Sequence, residues 1–356
     1  MSHLFTPLTV RGLTVRNRIW VSPMCQYSAT DGVPDDWHLV HLGQFAVGGA
    51  GLVLTESTAV TPHGRISPYD AGLWSDQQIP VWRRIVDFVH AQGAAAGMQL
   101  NHAGRKASTR RPWETPGSIP EAEGGWPTVA PSPISFGRYA EPRALTSTEL
   151  AELPDLFADA ARRAIAAGFD TVEVHLAHGY LGHQFYSPLS NHRSDDYGGD
   201  FDGRVRLPLE IVAAVRAAVG TQVPVLARIS ATDWIDGGWT ADESVELARR
   251  LVTRGADLID TSTGGNAPDA DIPVGPGYQV RFAERIRTEA GVPTGAVGMI
   301  TEPDQAEKIL DSGAADVVLL ARELLRDPHW PLRAAATLGE DVAWPEQYAR
   351  ARRPVG

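Results

Sequence analysis

The chain has 356 residues, 43% hydrophobic and 21% charged, with a formal net charge of −11. That is ordinary globular composition with chain enough for a large core, and its acidic balance argues against nucleic acid as a main partner. The single cysteine, Cys25, leaves no intrachain disulfide framework and no Cys-ligated iron–sulfur cluster. With no signal pattern and no apolar run near the roughly 18 residues of a membrane span, a cytoplasmic protein with no membrane partner is expected.

Leu4 to Ile19 holds two alternating β-branched pieces around Arg11-Gly12, which predicts a hairpin able to cap one end of a barrel. Ile19-Trp20-Val21 is a short apolar strand that ends in Ser22-Pro23-Met24-Cys25. A rhythm of helices and buried strands then begins. A helix over Trp37 to Gly48 precedes a strand over Gly51 to Glu56, and a helix over Ile79 to Gln92 precedes a strand over Ala94 to Leu100. Thr148 to Ala167 reads as a long helix with Thr148 in its N-cap region before Glu149. The strand Thr171 to His175 follows. Helices over Arg204 to Val219, Ala241 to Arg254, Tyr278 to Ala290 and Glu302 to Ser312 are followed by strands over Val223 to Ile229, Asp257 to Thr261, Val292 to Val297 and Ala315 to Leu320. A last helix starts near Pro331.

Continuous apolar strands alternating with helices mean a buried parallel sheet. Eight units favour a closed (β/α)8 TIM barrel, here with an N-terminal β-hairpin cap and a long insertion after strand 3. A doubly wound sheet is the competitor, but no G-x-G-x-x-G turn follows the first strand and no composition break divides residues 1–356. One domain is therefore expected, with a tail over about 340–356. Residues 103–144 show no periodicity. Their Trp and Pro content, as in Arg110-Arg111-Pro112-Trp113 and Gly124-Gly125-Trp126-Pro127, predicts a packed lid.

Chemistry in such barrels sits at the C-terminal ends of the strands. In order these ends deliver Ser22 to Cys25 with Tyr27, then Glu56 with Thr58 and Ala59, then Gln99 with His102, Arg105 and Lys106. The later ends deliver His175, His178 and Tyr180, then Arg228, Ser262 with Thr263, Gly298 with Met299, and Arg322. Gly298 and Arg322 suit a phosphate, which barrels often bind after strands seven and eight; a packing glycine and a surface arginine are the bland alternative. His175, His178 and His183 allow three readings. One is a metal site, though no carboxylate falls among them. Another is a structural pair. The third, which the positions favour, is a pair of donors to an anionic oxygen, with Tyr180 as proton donor. Cys25 is either a small buried hydrophobe or a thiol that faces a cofactor.

Taken together, these residues resemble the Old Yellow Enzyme family of FMN-dependent ene-reductases, almost end to end from Leu4-Phe5-Thr6-Pro7-Leu8 to Glu346-Gln347-Tyr348. The specific blocks are Ser22-Pro23-Met24-Cys25, Gln99 through Lys106, His175-Leu176-Ala177-His178-Gly179-Tyr180, Ser187 through Gly199, and Ala321-Arg322-Glu323-Leu324-Leu325-Arg326-Asp327-Pro328. Cys25 with Tyr27 resembles the thermophilic-like branch. The resemblance implies non-covalent FMN across the barrel mouth, reduced by NADPH or NADH. Ser22, Pro23, Met24, Cys25 and Ala59 would adjoin the ring, with the Cys25 thiol tuning its potential. Gln99 and Arg228 would bond its pyrimidine end, and Gly298, Met299 and Arg322 its phosphate. His175 and His178 would hold a substrate carbonyl or nitro oxygen, Tyr180 would protonate the α-carbon, and Tyr27 would shape the pocket. Arg350 would reach a neighbouring active site in a homodimer or homotetramer.

Enones, maleimides and nitroalkenes are the implied substrates, reduced in a ping-pong cycle. Side chains cannot supply hydride, so a cofactor must; one donor to the developing charge is worth about 3–4 kcal/mol. Ala321 stands where relatives often carry glycine, and His183 receives a structural role. The competing functions are a metal-dependent barrel hydrolase, a flavin-free phosphate-binding isomerase or aldolase, and a non-catalytic ligand binder.

Overall fold

The computed structural model describes residues 2–352. Eight parallel strands close into a barrel: β1 Ile19–Val21, β2 Leu52–Ala59, β3 Ala95–Asn101, β4 Thr171–Leu176, β5 Val225–Ser230, β6 Leu258–Ser262, β7 Thr294–Ala296 and β8 Val317–Leu320. Sequence order is spatial order around the ring, and β8 closes on β1 with Val318 opposite Ile19. The (β/α)8 architecture is as the alternation predicts.

Both faces of each strand are buried, and the period of two divides them into two cores. Ile19, Val21, Val53, Val172, Val174, Val225, Ala227, Ile259, Val318 and Leu320 pack outward against the helices. Trp20, Leu52, Leu54, Leu226, Leu258, Val317 and Leu319 fill the barrel interior. The predicted hairpin is Leu8–Val10 paired with Leu13–Val15, Leu8 opposite Val15. Its Leu8, Leu13 and Val15 join the interior cluster, and Gly12 N donates to Gln222 O ahead of β5. The hairpin therefore plugs the N-terminal end and leaves the opposite end for chemistry.

The main helices are α1 Asp36–Val47, α2 Ile79–Ala91, α3 Ser147–Ala167, α4 Leu181–Tyr186, α5 Phe201–Val219, α6 Ala241–Thr253, α7 Val280–Ala290, α8 Pro303–Asp311, α9 Arg322–Arg326 and α10 Trp330–Thr337. Three expectations are corrected. The N-cap of α3 is Thr146, not Thr148: Thr146 Oγ1 accepts from Glu149 N, and Glu149 Oε2 accepts from Thr146 N, a reciprocal capping box. Strand β2 runs to Ala59 rather than Glu56, past a register shift between Leu54 and Ser57. Helix α4 has no counterpart in the sequence reading, since its six residues span too few turns to show a period.

The insertion leaves the end of β3. It contains short turns and the two-residue pair Val129–Ala130 with Arg143–Ala144. Buried Arg105 anchors it, donating from Nη2 to Asn266 O at 2.6 Å and to Asn266 Oδ1 at 2.9 Å. No helix among the described residues is long and apolar enough to cross a membrane.

Candidate active site

Inward positions of four strands stack in layers. Leu226, Arg228 and Ser230 rise along β5; Leu258, Asp260 and Ser262 along β6; Thr171, Glu173 and His175 along β4. Leu226, Leu258 and Thr171 make the floor, charged side chains the middle, and His175, Ser230 and Ser262 the mouth. Gln99 stands opposite Glu173 and Arg228 opposite Asp260, while β4 is offset from β5 so that His175 stands opposite Arg228.

At the mouth, Ala177 N donates to His175 Nδ1 at 3.2 Å. Burial, then the nearby Arg228 cation, holds both His175 and His178 well below the ordinary imidazole range, so both rings are neutral. A neutral His175 whose Nδ1 accepts carries its proton on Nε2, and that atom lies 3.3 Å from His178 Nδ1. His178 Nε2 lies 2.7 Å from Ser262 Oγ, which in turn donates to Gln279 Oε1 at 3.3 Å. The two loops meet closely here. A Cβ on Gly265 would lie 2.7 Å from His178 Cα, and one on Gly179 would lie 2.1 Å from Gly265 O.

Tyr180 sets its ring edge-on to His175 at 5.1 Å. Burial keeps its hydroxyl protonated far above the usual range. It lines a cavity of about 260 Å³ with Tyr27, Ile66, Lys106, Arg111 and Tyr139, so the lid forms one wall. Cys25 is half-buried and hydrogen-bonded to Tyr27. Burial, then Asp70 and Glu56, pushes its thiol up, so it is a thiol and not a ready nucleophile.

A second cavity, about 290 Å³, is lined by Ser262, Gln279, Gly298, Met299, Ala321 and Arg322 among others. Gly298 (φ +121°) and Met299 (φ +48°) turn the backbone there through the left-handed region. A Cβ on Gly298 would come within 2.9 Å of Gln279 Nε2. Among the described residues Arg322 makes no ion pair and the buried Ser22 Oγ has no hydrogen-bond partner. The two cavities flank one chain of contacts: Tyr180, His175, His178, Ser262.

The sequence-predicted residues therefore gather in three groups. Tyr27 and Tyr180 line the lid cavity; Gly298, Met299 and Arg322 line the other; His175 and His178 stand between. Ser22 follows β1, Ala59 ends β2, and Pro23, Met24 and Cys25 continue from Ser22. Gln99 and Arg228 lie one layer lower than the strand ends suggest, with Gln99 Nε2 donating to Glu173 Oε1 at 2.7 Å. Arg350 stands apart. It is exposed on the turn Glu346–Ala351 and lines neither cavity, while Arg352 pairs with Asp341 of its own chain. His183 is held at both ring nitrogens: Nδ1 accepts from Gly179 N and Nε2 lies 2.8 Å from Asp233 Oδ1. Among the described residues no group of three His, Cys, Asp or Glu is placed to hold a metal ion.

Sequence reasoning gave Lys106 no role and passed over Glu173 and Asp260. Lys106 Nζ donates to His178 O at 2.8 Å and Gly265 O at 2.9 Å, tying the two mouth loops together. It also lies over the rings of Phe136 and Tyr180. The signal for Glu173 and Asp260 was their spacing, two residues before His175 and Ser262 on the same inward face.

The sequence profile of the NADH:flavin oxidoreductase / NADH oxidase family matches residues 3–341. The chain belongs to this family. An NADPH dehydrogenase of Geobacillus thermodenitrificans is 46% identical over 353 residues, 98% of each chain. One from Listeria innocua is 46% identical over 354 residues, 99% of each. Among solved structures, the old yellow enzyme homologue from Zymomonas mobilis superposes with a TM-score of 0.79 at 28% identity over 99% of both chains. Morphinone reductase in complex with tetrahydroNAD gives 0.79 at 29% identity, covering 97% of this chain and 93% of that one. The protein is an FMN oxidoreductase of the Old Yellow Enzyme kind, and its residues fit the cofactor. A free arginine and a sharply turned backbone suit a phosphate. A guanidinium, an amide and an unpartnered hydroxyl offer polar groups to a flavin ring.

Proposed function

We propose that the protein is a cytoplasmic NADPH-dependent ene-reductase that reduces activated C=C bonds of α,β-unsaturated carbonyls, maleimides or nitroalkenes by a ping-pong mechanism. One observation carries this: two neutral imidazoles and a protonated tyrosine converge beside a lidded cavity. When bound, FMN reduced by NADPH would supply the hydride that side chains cannot.

The chain's own residues do the rest. Pro23, Met24, Cys25 and Ala59 would adjoin the ring, with Ser22 at the end of β1. Gln99 and Arg228 would serve its pyrimidine end, and Gly298, Met299 and Arg322 its phosphate. His175 Nε2 and His178 Nδ1 lie 3.3 Å apart, and an oxygen placed beside both would receive both protons once His178 carries its own on Nδ1. The Ser262 hydroxyl permits that tautomer because it can donate to His178 Nε2 as well as accept. Neutral donors stabilise the charge that develops on the oxygen without being neutralised by it. Tyr180 protonates the α-carbon, and Tyr27 with the lid shapes the pocket. Arg350, exposed in one chain, contributes only across the interface of a homodimer or homotetramer.

The purified protein is expected to be yellow with FMN, and to consume NADPH with members of an enone, maleimide and nitroalkene panel. Colourless protein that takes up no FMN, or FMN-loaded protein inert to the whole panel, contradicts this reading.

A further inference from the structure

The middle layer of the barrel holds a surplus of carboxylates. Gln99, Glu173, Arg228 and Asp260 are all buried there. Gln99 Nε2 donates to Glu173 Oε1, and Arg228 Nε lies 3.0 Å from Asp260 Oδ2. Glu173 and Asp260 also lie within hydrogen-bonding reach of each other. Yet Glu173 Oε2 and both Asp260 oxygens find no hydrogen-bond donor among the described residues, the Arg228 Nε–Asp260 Oδ2 contact being an ion pair without hydrogen-bond geometry. An ionised carboxylate oxygen only accepts. Two buried carboxylates within hydrogen-bonding reach disfavour double ionisation, and a proton shared between them relieves it. One cation and two carboxylates make a neutral layer only if that proton is kept.

We propose that Glu173 holds this proton, as a neutral acid donating to Asp260, and is a positioning residue that sets the charge Arg228 presents to the mouth. Asp260 faces the cation directly and is the better carboxylate. The groups facing Glu173 are Gln99 from β3, neutral, Arg228 from β5 and Asp260 from β6. His175, next on its own inward face, is neutral. Burial first, then Asp260, raises Glu173 above the carboxylate range; burial also raises Asp260, while Arg228 and the hydrogen bond with Glu173 pull it back down. With the proton in place, Arg228 is balanced by Asp260 alone. Losing it puts net negative charge under the mouth and disfavours further negative charge there. That consequence rests on the proposed seat of the FMN pyrimidine end at Arg228; the protonation itself does not.

Two measurements test this. Infrared spectra of the purified protein at neutral pH, with and without carboxyl-labelled glutamate, are expected to show a protonated-acid carbonyl band that shifts with the label and is absent in Glu173→Gln. No label-sensitive acid band in the wild type overturns the proposal, whether or not the variant folds. The amide of Glu173→Gln mimics the neutral acid. The FMN midpoint potential is therefore expected to fall more steeply in the wild type than in the variant from neutral to alkaline pH. Parallel curves overturn the link to Arg228. Absence of bound FMN would defeat the functional reading instead, and the infrared band would still decide the protonation.

Discussion

His175 and His178 meet at 86°, with 5.1 Å between ring centroids and Nε2 of one 3.3 Å from Nδ1 of the other. The same three-residue step that brings them together puts His178 in the left-handed region, at φ +59°. That unusual backbone turns its ring back toward Ser262.

Ser262→Ala removes the hydroxyl that lets His178 switch its proton to Nδ1. One hydrogen bond is worth about 1 kcal/mol net, so a phenol, which mimics the substrate oxygen, is expected to bind about five-fold more weakly. Unchanged phenol affinity by spectral titration would show that His178 does not depend on Ser262.

Tyr180→Phe keeps the ring against His175 and removes the proton. A general acid contributes roughly 10²–10⁴-fold. Stopped-flow traces are expected to show that loss in reoxidation by an enone, with reduction by NADPH nearly unchanged. Slowing of both half-reactions alike would mean that Tyr180 shapes the site instead.

Lys106→Met cuts the tie from Nζ to His178 O and Gly265 O. Burial, then Arg105, holds this amine down to about 7, but it donates in either charge state. Substrate kcat/KM is expected to fall at least ten-fold, while FMN stays bound because Lys106 lines the lid cavity and not the Arg322 cavity. Loss of FMN in step with activity would contradict this.

Acid sensitivity has a traceable part. Burial, then His63, holds His102 down to about 4. The unfolded ring titrates near ~6.5. Between those values the unfolded chain binds the extra proton, so this group's contribution to stability is full above ~6.5 and is lost as pH falls. His102→Gln is expected to lose less stability than the wild type from pH ~6.5 to about 4. Denaturant midpoints that fall in parallel would reject the assignment.

Much of the fold was legible because β-branched strands buried on both faces alternate with amphipathic helices. Which residues gather at the mouth followed from which of them end each strand. What escaped was set by contacts distant in sequence. Glu173 reads as an ordinary strand residue until Asp260, from two strands away, appears beside it. Lys106 reads as a loop cation until its amine is found between two backbone carbonyls. The Thr146 cap was available in Thr146-Ser147-Thr148-Glu149, whose first and last members form the box.

The central claim is that His175 and His178 hold a substrate oxygen beside FMN without holding FMN itself. Titrating a phenol into FMN-loaded wild-type protein and into the His175→Ala/His178→Ala variant, and following the flavin spectrum, tests it most directly. The account predicts saturable perturbation in the wild type, and phenol affinity lowered by about 10²-fold or more in a variant that keeps its FMN. Equal loss of phenol and FMN, or undiminished phenol binding, would contradict it.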